Sequence, residues 1–238
     1  MKATINMKYF TIILLIGINY NTIAQNDYYK YTDPDDSVSI TRYSLADNDY
    51  LPDEIIGFPY EKEEFQKGVL LENNQPIVDE IYFRYNIYEN KIELKENLSD
   101  DNSKIAILKK SPNIIVKIKK EFIIFDEGSE SYYKILFMGS NYKLYKKHIK
   151  KFYKAKRAKN SYDLDVLATF KDKVIYFLAD KNGKLHEIPT SRKKKIKFFG
   201  NKKDDIKKYI DHNDLDINNE DVLIKVVRYF NSFNDASL

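Results

Sequence analysis

The sequence predicts an α+β, β-rich fold: an antiparallel sheet, curved or closed into a partial barrel, with two C-terminal helices packed on it. Three observations support this. Short apolar segments alternate with period two between residues 65 and 188. Helical periodicity replaces that alternation after Pro189. No repeat of about 20 to 50 residues is visible, which argues against a solenoid.

The clearest strand signal is the segment 81–88, IYFRYNIY, in which every second residue is Ile, Phe or Tyr on one face. Residues 91–95 alternate in the same way, so the two segments predict a hairpin. Gly183 predicts a tight turn because it accepts a positive φ. The further predicted strands are 114–118, 122–125, 133–138, 142–145, 174–178 and 184–188.

Two amphipathic helices are predicted at the C-terminal end. Residues 202–211 place Ile206, Tyr209 and Ile210 on one stripe. Residues 222–233 carry a longer apolar stripe that includes Val226 and Phe230, so this helix must dock on an apolar surface.

The chain divides into four segments by composition. Residues 1–24 have a basic start, a ten-residue apolar run and a small-residue site before Gln25, which predicts a cleavable secretory signal. That run is half the length of about 20 residues that a membrane span requires, so no transmembrane span is predicted in the mature chain. Residues 25–54 form an acidic lead-in, 55–189 the β domain, and 190–238 the helical segment.

The predicted export makes the absence of cysteine informative. Small secreted domains often depend on disulfides, whereas this chain must rely on its hydrophobic core. The predicted location is therefore outside the cytoplasm: the periplasm, the periphery of the outer membrane, or the extracellular space.

Charge is unevenly distributed. Residues 25–103 carry 7 basic and 19 acidic side chains, and residues 104–210 carry 29 and 11. Either the two parts attract each other within the fold, or the second part forms a basic face for an anionic partner such as an envelope lipid or glycan. Export makes nucleic acid an improbable partner.

The segment 142–157 interleaves lysines with aromatic residues. Such a pattern is typical of a groove that follows phosphates, and equally of an edge strand protected by lysines. The candidate residues for binding an anionic surface are Tyr142, Lys143, Tyr145, Lys146, Lys147, Lys150 and Lys151.

No catalytic, cofactor or metal motif stands out. His148, His186 and His212 lack the spacing of a zinc site, and neither a P-loop nor a nucleophile elbow is present. An EF-hand loop from Asp214 would place Lys225 at the position of the bidentate Glu. We therefore interpret Asp216, Asn218 or Asn219 as the cap of the last helix. No cofactor and no metal are predicted.

Short motifs distributed over most of the mature chain resemble uncharacterised exported proteins of Gram-negative bacteria. They include residues 57–60 (GFPY), 84–88 (RYNIY), 187–189 (EIP) and 223–229 (LIKVVRY). The resemblance implies export and a β-rich architecture, and it implies no particular activity.

These observations favour a non-catalytic binding or envelope-associated domain. The alternative is a hydrolase of envelope glycans that uses a carboxylate pair, which the sequence does not single out among 36 acidic residues.

The first prediction concerns the signal. Expression with export in a Gram-negative host is expected to yield a chain that begins at Gln25, because Thr22 and Ala24 satisfy the small-residue rule before the cut. Intact-mass measurement of the exported protein tests this, and a mass that retains Met1 contradicts it.

Overall fold

The computed structural model describes residues 29–30, 55–160, 162–233 and 237–238. The predicted signal lies outside these residues, as does the acidic lead-in apart from Tyr29–Lys30, which forms a short strand. Among the described residues, no helix is long and apolar enough to cross a membrane.

Within the described residues, twelve strands form a single sheet that is curved and not closed. The strands are β1 (Tyr29–Lys30), β2 (Ile55–Ile56), β3 (Gln66–Glu72), β4 (Gln75–Asn86), β5 (Lys91–Lys95), β6 (Ala106–Leu108), β7 (Ile114–Ile118), β8 (Glu121–Asp126), β9 (Ser131–Met138), β10 (Lys143–Tyr153), β11 (Ala168–Ala179) and β12 (Leu185–Glu187). Their order is β1-β6-β5-β4-β3-β7-β8-β9-β10-β11-β12, and β2 pairs with β11. All pairs are antiparallel except β2–β11. The predicted fold class is confirmed.

In the described part of the chain, three helices follow the sheet: α1 (Arg192–Phe198), α2 (Lys203–His212) and α3 (Glu220–Asn231). The sequence predicted α2 and α3. It left open whether the lysine-rich residues 192–195 of α1 are an exposed helix face, because this segment shows little apolar periodicity. The capping interpretation is confirmed, because Asn219 Oδ1 accepts hydrogen bonds from the backbone N–H groups of Asp221 and Val222 at 2.9 and 3.2 Å.

Two apolar cores lie on the inner face of the sheet. The first fills the curve formed by β3 to β9 and includes the fully buried side chains of Leu70 and Phe83. The second lies between the helices and the ends of β9, β10 and β11, and includes Leu144, Leu178 and Phe230. The two cores give one sheet two separate packing surfaces.

The turn between β9 and β10 is fixed by the end of α3. Asn231 Oδ1 accepts hydrogen bonds from the backbone N–H groups of Asn141 and Tyr142 at 3.0 and 2.9 Å. Gly139 permits this approach, since a Cβ there would lie 2.4 Å from the same oxygen. The C-terminal helix therefore determines where β10 begins.

The second prediction concerns the docking of α3. Phe230 is fully buried between Phe199 and Tyr142, with ring centroids 5.0 and 4.8 Å away. Truncating such a residue typically costs about 3–5 kcal/mol, so Phe230→Ala is expected to lower the urea midpoint markedly. The control is Lys225→Ala on the exposed side of the same helix. Equal midpoints for the two variants would contradict this packing.

Candidate functional site

Strand β10, which carries most of the predicted binding residues, is paired on both sides only at its start. It pairs with β11 along its whole length, from Lys143 opposite Ala179 to Tyr153 opposite Thr169. It pairs with β9 over Lys143–Lys146. No described strand pairs with the β9 side of Lys147–Tyr153, so the interpretation of these lysines as protection of an edge strand stays a prediction. A second open edge lies on β11, where no described strand pairs with residues 170–175 on the side away from β10.

Because side chains alternate along a strand, the candidate lysines are divided between the two faces of the sheet. Lys146 and Lys150 share the inner face with Leu144. Lys143, Lys147 and Lys151 share the outer face. The structure therefore does not unite the five lysines in one surface.

The two candidate tyrosines are buried. Tyr142 belongs to the core beneath α3, and its ring packs on that of Phe230. Tyr145 lies in a small apolar cluster on the outer face, 6.1 Å from the ring of Tyr133. Apolar packing buries both rings, so neither is exposed as a stacking platform.

Apart from Lys143 at the start of β10, the outer face of β10 and β11 carries four lysines from the two strands. Lys151 lies directly opposite Lys171, and Lys173 lies two pairs further along, opposite Ile149. These three lysines are exposed, and Lys147 is partly covered. The Lys147 ammonium donates to Ser131 Oγ at 2.6 Å, and burial lowers its pKa. Lys171 and Lys173 were not among the predicted site residues.

The inner-face lysines have carboxylate partners. Lys146 Nζ lies 2.8 Å from a carboxylate oxygen of Glu220, which also accepts a 2.8 Å hydrogen bond from the Tyr176 hydroxyl. Lys150 Nζ lies 3.2 Å from Asp172 Oδ1 and 4.6 Å from the ring centroid of Phe58. These side chains hold the helices and the residues before β3 against the sheet.

A polar belt runs along the inner face between the two apolar cores. We define it as Glu61, Lys134, Lys146, His148, Lys150, Asp172, Tyr176 and Glu220. Glu61 is its central carboxylate, with Oε1 at 2.5 Å from Lys134 Nζ and 3.6 Å from His148 Nδ1. Lys134 also binds Glu121 at 2.7 Å. The belt thus connects the segment before β3 to strands β8 to β11.

His148 lies between two carboxylates of the belt. Its Nε2 is 3.4 Å from Asp172 Oδ1, and its Nδ1 is buried near Glu61 without a hydrogen bond of good geometry. A neutral imidazole has one N–H group and can donate to only one carboxylate.

The pKa of Glu61 shows the electrostatic character of the belt. Burial alone raises the pKa of this carboxyl, but His148 and Lys134 outweigh it and hold the pKa at about 2. Glu61 is thus ionised at neutral pH. This state suits an ion pair and does not suit a general acid.

A second basic area lies on the sheet at Gly68, where a shallow groove of about 580 Å³ is lined by Lys67, Lys117, Lys119 and Glu80. The Lys67–Glu80 ion pair at 2.8 Å neutralises one of its three lysines. Among the described residues, no group of three or more His, Asp or Glu side chains could hold a metal ion.

Sequence reasoning missed the belt, although a signal for it existed. Leu144 and Phe152 identify the inward positions of β10, and the three inward positions between them are Lys146, His148 and Lys150. Polar residues at successive core-facing positions predict a buried polar network. Their carboxylate partners are distant in sequence and carried no signal.

Comparison with protein-family models, with characterised proteins and with solved structures finds no match. The resemblance drawn from short motifs stays a prediction.

The third prediction concerns Glu61. Its depressed pKa contributes stability that is fully present above the ordinary value of 4.5 and is lost as the pH falls toward about 2. The contribution is about 3 kcal/mol, at 1.36 kcal/mol per pKa unit. Glu61→Gln is therefore expected to be less stable than wild type at pH 7, with the gap closing below pH 4.5.

Urea unfolding at several pH values measures this difference. Glu187→Gln, at an exposed position of β12, is the control and is expected to follow wild type throughout. A Glu61→Gln deficit that stays constant with pH would contradict the electrostatic role.

Proposed function

We propose that this protein is an exported, non-catalytic domain that associates with an anionic surface of the cell envelope. The predicted secretory signal supports export. The basic outer face of β10 and β11 supports an anionic partner, whose phosphate, sulfate or carboxylate groups would be bound by the ammonium groups of Lys147, Lys151, Lys171 and Lys173.

The observation that carries this proposal is the direct opposition of Lys151 and Lys171. Like charges placed opposite each other on antiparallel strands destabilise the pair, and both side chains are exposed. Lys173 adds a third exposed positive charge close by. Lys146 and Lys150 pair with carboxylates on the other face of the sheet. An external anion would relieve the repulsion among the outer lysines.

The alternative is a hydrolase of envelope glycans with a carboxylate pair. Such an enzyme needs one carboxyl group that stays protonated near neutral pH. Glu61, the central carboxylate of the polar belt, has the opposite shift because Lys134 and His148 stabilise its charge. The geometry therefore supports the binding function better.

The fourth prediction tests the outer face. Lys151→Glu combined with Lys173→Glu is expected to weaken binding to dextran sulfate and to phosphatidylglycerol vesicles at least tenfold, since each lysine near an anionic surface contributes about 1 kcal/mol. Wild-type binding is expected to fall steeply with salt, because exposed charges are screened beyond about 8 Å at physiological ionic strength.

The matched control is Lys193→Glu with Lys194→Glu, which changes the net charge equally at exposed positions near the start of α1. Equal weakening by both double variants would mean diffuse attraction without a site. Unchanged binding together with aggregation of the first variant would assign its lysines to protection of the open β11 edge.

A further inference from the structure

The loop between β10 and β11 presents apolar side chains to solvent. We call residues 154–160 and 162–167 the finger. Tyr162 is 96% exposed and Leu164 is 87% exposed, the two highest values among the large hydrophobic residues of the described chain. Val166, at 56%, continues this apolar surface toward β11. Because exposing such side chains is unfavourable in water, a cluster of them marks an interaction surface.

The finger is held in shape by its own hydrogen bonds. Lys156 and Val166 exchange two backbone hydrogen bonds of 2.8 Å. Asp165 Oδ1 accepts from Ala158 N at 2.7 Å, and Asn160 Oδ1 accepts from Tyr162 N at 2.9 Å. These bonds satisfy several backbone donors within the loop, so less polar backbone must be desolvated when the finger enters an apolar medium.

The apolar surface continues at the base of the finger. Strand β2 pairs with the start of β11, and its residues Ile55 and Ile56 are 41% and 50% exposed. Tyr153, at the end of β10, is 49% exposed, and its ring lies 5.1 Å from the Lys171 ammonium. One end of the sheet therefore combines exposed aliphatic and tyrosine side chains.

Basic residues surround this apolar surface. Residues 151–171 carry six basic and two acidic side chains, namely Lys151, Lys154, Lys156, Arg157, Lys159 and Lys171 against Asp163 and Asp165. The finger is continuous with the outer lysine face of β10 and β11. Tyrosine and lysine both combine an apolar part with a polar end, which suits the boundary between lipid headgroups and acyl chains.

We infer that the anionic partner is a lipid bilayer and that the finger enters it with Tyr162 and Leu164 foremost. This inference rests on the proposed function and adds the partner class to it. Lysines attract anionic headgroups, and the two apolar side chains then leave water. A polysaccharide in solution would bind the lysine ammonium groups and would leave Tyr162 and Leu164 exposed. Burial of these two side chains therefore distinguishes a lipid partner from a glycan partner.

Insertion can be observed directly because the chain contains no tryptophan. In Tyr162→Trp the introduced indole is the only one, and its emission is expected to shift to the blue with phosphatidylglycerol vesicles, with quenching by brominated acyl chains. Neither change is expected with dextran sulfate. Leu98→Trp, at a 57% exposed position between β5 and β6, is the matched control and is expected to show no shift.

Affinity provides the second measurement. Tyr162→Ser with Leu164→Ser is expected to weaken vesicle binding at least tenfold, since burying one leucine-sized side chain is worth roughly tenfold to a hundredfold. Binding to dextran sulfate is expected to stay unchanged. Because both positions are exposed, the thermal midpoint is expected to stay within the range of the Leu98→Ser control.

The outcomes separate the inference from the proposed function. Vesicle binding without an emission shift at position 162, or equal affinities of the serine double variant and wild type, would overturn insertion and leave binding to an anionic surface intact. Failure of wild type to bind either vesicles or dextran sulfate would overturn both.

Discussion

The rest of the structure depends on the Glu61 carboxylate. The backbone N–H of Glu61 donates to the Tyr85 carbonyl at the end of β4, while its side chain meets Lys134 on β9 and His148 on β10. One residue thereby joins strands that are well separated in the sheet order, which holds the sheet in its curve. Removing one partner of a buried ion pair leaves the other charge uncompensated, typically at a cost of about 3–5 kcal/mol. The curvature of the sheet therefore depends on the ion pair between Glu61 and Lys134.

The polar belt around Glu61 has a second consequence, which is to divide the inner face into two apolar cores. Strands β3 to β9 wrap around one core, and the helices cover the other. Glu220 extends the belt to the start of α3 through Lys146 and Tyr176. Charged groups in this position favour the observed docking of the helices, because another docking position would separate the partly buried Lys146 from Glu220.

Ion pairs on the inner face of the sheet also determine how much positive charge is left on the outer face. Residues of the acidic and basic parts of the sequence form ion pairs, as in Glu61–Lys134, so part of the positive charge is neutralised within the fold. The lysines of the outer face, and the basic residues around the finger, are placed where solvent or a partner can reach them. Exposed like charges and exposed apolar side chains both reduce stability. Their occurrence together at one end of the sheet is the observation on which the proposed anionic partner surface rests.

The sequence by itself determined the β-rich class, the hairpin of β4 and β5, the turn at Gly183 and the two longer helices, since local periodicity and turn chemistry specify these features. It also limited the cap of the last helix to three candidates, one of which is Asn219. Only the tertiary structure decided that β9 covers β10 over Lys143–Lys146 alone, that Lys146 faces inward and Lys151 outward, and that Lys171 joins the outer face. Those facts depend on strand order and on partners more than 15 residues away, such as Asp172 for Lys150. Alternation along one strand carries no information about its neighbours, because pairing is set by contacts that form only when the whole sheet assembles.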